Sequence, residues 1–315
     1  MTTPPPSRVY GPVPSRRLGR SLGVDLVPYK VCTYDCVYCQ LGRTTSKTLR
    51  REEYVCIDEV VAELKEKLSA GPSPDWIGLA GSGEPTLNLR IGDCIEKIRS
   101  LTRIPVAVLT NGSLLWTPEV RDGLMGADLV LPSLDAGDEE LFRLVNRPHL
   151  GIEFQAMAEG LVEFAARFPR SVWLEVMLLA GVTAVEAEVK KLAALARRIG
   201  AERVQLNTVV RPPCEAFASA VPTHRMESFA ALFSPPAELI CPPANAPPSG
   251  ADRAASDEDI LALLRRRPCT AQGLAEGLGI HVAEAVKRLQ ELAARRLVAS
   301  THRDGAVYHT AAGNG

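Results

Sequence analysis

The sequence predicts an α/β fold, in which a partial (β/α)6 TIM-like barrel precedes a small C-terminal winged helix-turn-helix domain. Three observations support this prediction. Short apolar strands alternate with amphipathic helices from about residue 21 to residue 233, which is the pattern of βαβ units around a parallel sheet. A proline-rich stretch then interrupts regular structure, because proline lacks the backbone donor that helices and sheets need. Three short helices and a hairpin are predicted after it.

Six segments have the length and apolar content of buried strands. They lie at Leu22–Leu26, Trp76–Ala80, Val106–Leu109, Leu129–Pro132, Val172–Leu178 and Val204–Val209. Amphipathic helices are predicted between them, at Asp58–Ser69, Leu89–Leu101, Pro118–Leu124, Glu153–Phe168 and Val185–Ile199. Barrel enzymes place their chemistry at the C-terminal ends of the strands, so the residues that follow these strands are the first to consider as a site.

The C-terminal part of the chain predicts a linker and a second domain. We expect the barrel over residues 1–235, a proline-rich linker over 236–255 and the winged-helix domain over 256–315. Ser256 and Thr270 have the side chains and positions of helix N-caps. An Asp-Gly pair supplies the tight turn of the hairpin. The predicted elements are Asp257–Arg266, Ala271–Gly277, His281–Arg296, Val298–His302 and Ala306–His309.

The composition is that of a well-packed protein with no strong overall charge. Of 315 residues, 46% are hydrophobic and 23% are charged, and the formal net charge is -1. This balance gives no general attraction to nucleic acid, so any such binding needs a local basic patch. The first seven residues lack the apolar core of a leader, no later apolar run has membrane length, and the eight cysteines do not suggest a disulfide framework. We therefore expect a cytoplasmic protein with no membrane association.

Three cysteines in the loop after the first strand form the most specific motif. Cys32, Cys36 and Cys39 have the spacing C-x3-C-x2-C. Thiolates are soft ligands that suit iron, and three at this spacing can hold one face of a cubane cluster. A zinc site without its fourth ligand, or a set of redox thiols, is the alternative. The nearest histidine in the sequence is His149, however, and we favour the iron–sulfur interpretation.

This cysteine motif resembles that of the radical S-adenosylmethionine (radical SAM) superfamily. The resemblance implies a [4Fe-4S] cluster whose open iron is chelated by the amino and carboxylate groups of S-adenosyl-L-methionine (SAM). It also implies that Tyr38 lies near the adenine. The run Gly81-Ser-Gly-Glu-Pro85 after the second strand is similar to the Gly-Gly-Glu-Pro element of that superfamily, whose backbone holds the SAM amino group, with Ser82 in place of one glycine. The expected SAM-binding positions in this run are Gly81, Gly83, Glu84 and Pro85.

Further polar residues stand at the ends of later strands and point to the same mouth of the barrel. Asn111 follows the third strand, and Ser133 and Asp135 follow the fourth. Glu175 and Asn207 lie on the fifth and sixth strands. The resemblance implies contacts from Ser133 and Asn207 to the ribose and adenine, a further cofactor contact from Asn111, and a contact from Asp135 to either cofactor or substrate. Because these residue types are common in turns, no single one of them is evidence for a binding site. The prediction depends on all of them occurring at strand ends.

Four sequence stretches narrow the resemblance to the wyosine-synthetase-related group of radical SAM proteins. The stretches are Gly11–Asp25, Tyr38–Gly42, Asn146–His149 and Arg211–Pro213. Guanidinium groups bind oxyanions in bidentate fashion, so arginines here suit an anionic substrate or the SAM carboxylate, with surface ion pairing as the alternative. The arginines concerned are Arg16, Arg17, Arg20 and Arg211. The other cysteines are scattered and do not favour the second cluster that wyosine synthetases are described as needing.

The resemblance implies radical chemistry. An electron from a flavodoxin- or ferredoxin-like donor would reduce the cluster, SAM would be cleaved to a 5′-deoxyadenosyl radical, and the radical would abstract hydrogen from an unidentified substrate. No catalytic acid or nucleophile is assigned, and the oligomeric state is not predicted. RNA, through modification of a tRNA base, is the first expected substrate, and a protein or peptide is the second.

A regulator whose cluster senses redox state or SAM, and which binds nucleic acid, is the alternative function. The predicted winged-helix domain supplies a possible phosphate-contacting set: Lys287, Arg288, Arg295, Arg296 and Arg303. Acidic residues in the same domain bring its net charge near zero, so docking of a peptide is equally open.

Overall fold

The structure, a computed structural model, describes residues 7–71, 73–240, 256–303 and 305–312, with the side chain of Pro14 excepted. The strands are β1 (Val9–Ser15), β2 (Gly19–Val24), β3 (Val31–Cys32), β4 (Ser46–Lys47), β5 (Trp76–Leu79), β6 (Val106–Thr110), β7 (Leu129–Pro132), β8 (Ser171–Leu178), β9 (Arg203–Thr208), β10 (Glu238–Leu239), β11 (Val298–Arg303) and β12 (Ala306–Ala311). The α-helices are α1 (Ile57–Ala70), α2 (Ile91–Leu101), α3 (Pro118–Leu124), α4 (Glu139–Val145), α5 (Phe154–Arg167), α6 (Glu186–Ile199), α7 (Thr223–Ala230), α8 (Asp257–Arg266), α9 (Ala271–Leu278) and α10 (Val282–Ala294).

An eight-stranded, mostly parallel sheet forms the main body of the molecule. Its strand order is β1-β2-β5-β6-β7-β8-β9-β10. The strands from β2 to β9 pair in parallel, each with the next, and β1 adds to β2 in antiparallel orientation. The six predicted strands and five predicted helices are confirmed. Since β1 and β10 are the two edges of this sheet, the described strands form an open α/β barrel.

The two faces of the sheet have different environments. Along β8, buried residues alternate with half-buried ones, so that Val172, Leu174 and Val176 pack into the main core while Glu175 faces the interior of the barrel. A smaller cluster lines the interior at Leu129 and Leu131, and Leu18 from the turn between β1 and β2 packs with it. The turn of the N-terminal hairpin therefore reaches into the barrel.

The C-terminal unit consists of three helices and a hairpin, α8 to β12, as predicted from the sequence. Ser256 and Asp259 form a capping box at α8, and Thr270 and His281 cap α9 and α10. The core of this unit contains Ile260, Leu274 and Leu289, and Val13 of β1 belongs to the same cluster. The C-terminal unit thus packs on the edge strand of the sheet.

The structure also adds elements that the sequence did not predict and corrects one boundary. Strands β1 and β10 and helices α4 and α7 were not predicted. Residues Glu238–Leu239 pair in parallel with β9, so the sheet continues into the expected linker of residues 236–255. Residues 241–255 of that linker lie outside the described part of the chain. Within the described part, none of the helices combines the length and apolar character needed to span a bilayer.

Candidate active site

The three cysteines of the C-x3-C-x2-C motif lie in the loop that follows β2. All three are free and partly exposed. Each sulfur has a side-chain nitrogen donor nearby. The N···S pairs are Asn111 Nδ2 with Cys32 Sγ at 3.6 Å, Asn146 Nδ2 with Cys36 Sγ at 3.6 Å, and Lys30 Nζ with Cys39 Sγ at 3.1 Å. These donors favour the thiolate form, which is the form that binds metal.

The donor set fits an iron–sulfur cluster better than a single ion. Burial raises the pKa of Cys32 to about 12, with the nearby Glu84 acting in the same direction, and burial also raises the pKa of Cys36 well above its usual value. Thiolates in this loop therefore need a compensating cation. Among the described residues, no three His, Cys, Asp or Glu side chains are placed to hold a metal ion as they stand. Three soft ligands without a fourth are consistent with a cluster that keeps one iron open.

The segment Asn146–His149 packs directly on the cysteine loop. The backbone N–H of Asp35 donates to the Asn146 carbonyl at 3.0 Å, and the N–H of His149 donates to the Thr33 carbonyl at 2.8 Å. Asn146 is 2% exposed, and its Nδ2 also donates to Asp135 Oδ2 at 2.7 Å. From the sequence, this segment was predicted only to match a family pattern. The structure shows that it supports the loop and provides the donor to Cys36.

The glycine-rich run after β5 lies against the residues that precede Cys32. The N–H of Lys30 donates to the Ser82 carbonyl at 2.6 Å, and the N–H of Glu84 donates to the Val31 carbonyl at 3.1 Å. A Cβ at Gly83 would lie 1.9 Å from the Val31 oxygen. Gly81 has a φ of +131°, and a Cβ there would lie 1.7 Å from Asp25 Oδ1. Both positions require glycine because the backbone comes so close to its neighbours.

The Glu84 carboxylate links the ends of β5 and β6. It is 1% exposed, and it accepts hydrogen bonds from Thr86 Oγ1 and Thr110 Oγ1, both at 2.6 Å, and from the Asn111 N–H at 2.7 Å. Burial raises its pKa, and these hydrogen bonds oppose the rise. Pro85 starts a buried 3₁₀ turn over Pro85–Leu87. The carboxylate is thus engaged with protein donors and shapes the loop, whose backbone remains the part suited to bind a ligand.

Tyr38 and Asp135 belong to one hydrogen-bonded group beside Cys36. The Tyr38 hydroxyl donates to Asp135 Oδ2, and the N–H of Met177 donates to Oδ1 at 3.1 Å. Burial raises the pKa of Asp135 to about 6. Asn146 completes the group. The structure therefore brings Tyr38 and Asp135 together at the cysteine loop.

The ends of β7, β8 and β9 bring Ser133, Glu175 and Asn207 together. Ser133 forms a parallel bridge with Glu175, and Asn207 Nδ2 donates to Glu175 Oε1 at 2.8 Å. Arg17 forms an ion pair with Glu175, and Arg16 Nη1 donates to Asn207 Oδ1 at 3.1 Å. The side chain of Asn207 is therefore held between a carboxylate and an arginine.

The remaining basic residues differ in how far they are exposed. Arg211 Nη1 donates to Gln40 Oε1 at 3.1 Å, whereas Arg20 is exposed at the start of the chain's second strand. On the C-terminal unit, Arg288 and Arg295 each pair with Asp257 at 2.6 Å, which reduces the basic set expected there to bind phosphates. Arg267, which was not predicted from the sequence as a site residue, lies close to Arg16 and Arg211 and lowers the pKa of both.

The other described cysteines do not join the loop as a second motif. Cys56 is exposed, Cys94 and Cys269 are buried, and Cys214 is partly exposed. Cys241 lies outside the described residues.

Comparison with known proteins agrees with the chemistry of this loop. The family model described as the Radical SAM superfamily matches residues 26–196, from the residues after β2 to within α6. The UPF0026 protein of Methanocaldococcus jannaschii is 34% identical over 227 residues, which are 71% of this chain and 70% of that protein. The chain therefore belongs to the radical SAM superfamily and to the UPF0026 proteins.

Two further matches extend over different parts of the chain. A protein named GTPase Obg from Brachyspira hyodysenteriae is 39% identical over 90% of this chain, which spans only 42% of that relative's length. The present sequence contains no Gly-Lys pair and hence no P-loop of the G-x-x-x-x-G-K-[ST] type. The crystal structure of a radical SAM methyltransferase from Sphaerobacter thermophilus matches with a TM-score of 0.51 and 20% identity, over 70% of this chain and 65% of that one. This second likeness concerns the fold.

Membership of the superfamily defines the general class of chemistry. The protein is a radical SAM enzyme, and its cofactors are SAM and a [4Fe-4S] cluster. Enzymes of this class need an electron donor. The mostly parallel α/β sheet is typical of the partial barrel of the superfamily.

Proposed function

We propose that this enzyme abstracts a hydrogen atom from an RNA substrate, in the modification of a tRNA base, and that Cys32, Cys36 and Cys39 ligate the cluster. When bound, the cluster and SAM supply a 5′-deoxyadenosyl radical, with an electron from a flavodoxin- or ferredoxin-like donor. The observation that carries the proposal is the arrangement of the cysteine loop. Three thiols, each with its own nitrogen donor, lie beside a glycine-rich backbone into which no larger side chain fits.

The chain's own residues orient and enclose the cofactors in this proposal. The backbone of Gly81–Pro85 binds the SAM amino group, and Lys30 and Asn146 stabilise the negative charge of the ligating sulfurs. Tyr38 and Asn111 lie on the cofactor side of the loop. Ser133 and Asn207 contact the ribose and adenine, and the hydrogen bonds of Asn207 with Arg16 and Glu175 fix its orientation.

The C-terminal unit is proposed to recognise the substrate. Its order of three helices and a hairpin is that of a winged helix-turn-helix domain, and we propose that this domain extends over residues 256–315. Lys287 and Arg296 are exposed on and just after α10 and can contact phosphates, whereas Arg288 and Arg295 are already paired with Asp257. Phosphate contacts in the barrel itself would then matter more than those on α10.

We place the enzyme in the wyosine-synthetase-related branch, with a single cluster. The support for this placement is the set of matching stretches, three of which contribute residues to the site in the structure: Gly11–Asp25, Tyr38–Gly42 and Asn146–His149. The described cysteines outside the loop do not form a second motif. A product other than the wyosine tricycle is therefore proposed.

The test is an anaerobic assay of SAM cleavage. The protein is reconstituted with iron and sulfide, and SAM and dithionite are added. Formation of 5′-deoxyadenosine is compared with that by Cys36→Ala, with Cys56→Ala as the matched control because Cys56 is exposed and outside the loop. We expect Cys36→Ala to be inactive and Cys56→Ala to resemble the wild type. Equal activity of both variants would contradict the assignment of the ligands.

The substrate is tested in a second step with the same preparation. Cellular RNA should stimulate formation of 5′-deoxyadenosine, and digestion of the RNA with ribonuclease beforehand should abolish the stimulation. Stimulation that survives ribonuclease but is lost after protease treatment would replace RNA by a protein or peptide substrate.

A further inference from the structure

Four arginines lie close together at the interface between the barrel interior and the C-terminal unit. Arg16 and Arg17 come from the turn between β1 and β2, Arg211 from the segment after β9, and Arg267 from the end of α8. Tyr308 of β12 reaches the same place, with its hydroxyl 3.5 Å from the Val210 carbonyl. The group is thus assembled from three regions of the chain that are far apart in sequence.

The arginine cluster, defined as these four residues, has less negative charge around it than its burial requires. The side chain of Arg17 is 10% exposed. Among the described residues, Glu175 is the carboxylate that pairs with the cluster, and it pairs with Arg17. Arg16 and Arg211 instead donate to the amide oxygens of Asn207 and Gln40. Four partly buried cations and one carboxylate leave a surplus of positive charge, which is costly unless a further anion is bound.

Two nitrogens of the cluster are buried without a partner. Nε of Arg17 and Nε of Arg267 are shielded from solvent, and neither has a hydrogen-bond acceptor in the described structure. Buried donors of this kind cost free energy unless they are satisfied. Burial and the neighbouring charges of Arg267 and Arg16 lower the pKa of Arg211 to about 10, so it remains charged at neutral pH while its positive neighbours disfavour that charge. An oxyanion would relieve both problems.

We propose that the arginine cluster binds a phosphate group of the substrate. Guanidinium groups bind phosphate in a planar, bidentate geometry, and the negative charge of a phosphate group offsets part of the surplus of positive charge. Asn207 near the end of β9 and Glu175, which forms a bridge with Ser133 after β7, connect the cluster to the candidate active site, so a substrate anchored here lies next to that site. The inference rests on the proposed function, because it names the part of the substrate that is recognised. Since Arg267 stands at the end of α8, the C-terminal unit itself contributes a residue to this phosphate site.

Binding of inorganic phosphate to the full-length protein tests this inference without any turnover. Thermal unfolding is followed in phosphate and in chloride at equal ionic strength, because a ligand that binds only the folded state raises the midpoint. We expect phosphate to raise the midpoint of the wild type. Arg211→Gln and Arg267→Gln should each weaken phosphate binding about tenfold to a hundredfold, as expected for the loss of a charge-assisted contact. Arg267→Lys should bind phosphate more tightly than Arg267→Gln. This recovery would show that misfolding does not explain the weaker binding of Arg267→Gln.

Arg20→Gln is the matched control, since Arg20 is close to Arg17 in sequence but exposed. It should bind phosphate like the wild type. A second arm measures SAM binding to the reconstituted protein in the presence of phosphate. Retention of SAM affinity in Arg211→Gln and Arg267→Gln supports the inference. Competition between SAM and phosphate would assign the arginine cluster to the SAM carboxylate and would overturn the inference. Equal phosphate binding by the wild type and Arg267→Gln would also overturn the inference. Formation of 5′-deoxyadenosine is a separate measurement, so failure here is distinguishable from failure of the proposed function.

Discussion

Replacement of Arg266 by methionine is expected to weaken the attachment of the C-terminal unit to the barrel. Arg266 Nε donates to Asp25 Oδ2 at 2.7 Å, and the two side chains are only 9% and 4% exposed. Nη2 donates to the Ser7 carbonyl at 2.6 Å, and the guanidinium lies 4.1 Å from the centre of the Tyr10 ring. A single side chain of the C-terminal unit thus makes an ion pair, a backbone contact and a cation–π contact with the barrel.

The magnitude follows from the burial of the pair. When one partner of a buried ion pair is removed, the other charge remains buried and uncompensated, which costs about 3–5 kcal/mol. An exposed pair contributes about 0–1 kcal/mol. We therefore expect Arg266→Met to lower the free energy of unfolding by about 3 kcal/mol or more at neutral pH. Arg295→Met is the control, because Arg295 is 57% exposed and pairs with Asp257 on the surface.

The pH dependence of this cost identifies Asp25 as its source. Burial raises the pKa of Asp25 above its usual value, and Arg266 opposes the rise. Without Arg266 the pKa rises further. For a carboxyl whose pKa is higher in the folded state, the favourable contribution is present at low pH and is lost as pH rises through the folded pKa. The cost of Arg266→Met should therefore be larger at about pH 8 than at about pH 5.

Urea denaturation of both variants at the two pH values measures this effect. The double variant Asp25→Asn with Arg266→Met should recover part of the lost stability, because no buried charge is left unpaired. A loss below about 1 kcal/mol at the higher pH would refute the reasoning, since it would show that the pair behaves as a solvated one. A loss that is the same at both pH values would also refute it.

Three further predictions concern the cysteine and glycine loops. Gly83→Ala should lower the free energy of unfolding by about 1–3 kcal/mol and weaken SAM binding, because its Cβ would meet the Val31 carbonyl. Gly123→Ala in α3, where a Cβ has no contact under 3.5 Å, should change neither property. Equilibrium unfolding and SAM titration measure the two properties, and equal behaviour of the two variants would argue against the close approach at Gly83. Lys30→Met should move the cluster's reduction potential to more negative values, since it removes a cation beside Cys39. A redox titration monitored by EPR measures the potential, with Lys47→Met as the control variant. An unchanged potential in Lys30→Met would show that Lys30 does not act on the cluster. Cys39→Ala should bind less iron after reconstitution than Cys94→Ala, and equal iron contents would exclude Cys39 as a ligand.

Much of the fold follows from the periodicity of apolar residues. The central strands of the sheet are buried on both faces, and the helices between them have one apolar face, so both have strong local signals. The C-terminal elements were predicted almost to the residue because Ser256, Thr270 and His281 cap their helices. Strand β1 was missed because its sequence, Val9–Ser15, contains a glycine and two prolines, which indicate a turn. As an edge strand it tolerates prolines that a central strand would not.

The candidate site was less predictable, because its parts come from distant segments. The cysteine spacing and the glycine-rich run are local, and the sequence placed both at strand ends. The donors to the sulfurs were not assigned as such, since Asn146 is 110 residues away from Cys36 in the chain. Arg267 was missed for the same reason, and Arg20 was included although it is exposed. Spatial neighbours of this kind leave no periodic signal in a single sequence.

Arg266 and Arg267, adjacent at the end of α8, connect the C-terminal unit to two different parts of the barrel. Arg266 binds Asp25, whose other oxygen accepts the N–H of Ser82 at 2.7 Å, so this contact reaches the glycine-rich run. Arg267 belongs to the arginine cluster. A displacement of α8 would therefore disturb both the loop expected to bind SAM and the cluster proposed to bind phosphate. Ligands at two sites that favour the same position of one helix must favour each other's binding, because linkage is reciprocal. The position of α8 thus gives the C-terminal unit a physical means to join substrate recognition to cofactor binding.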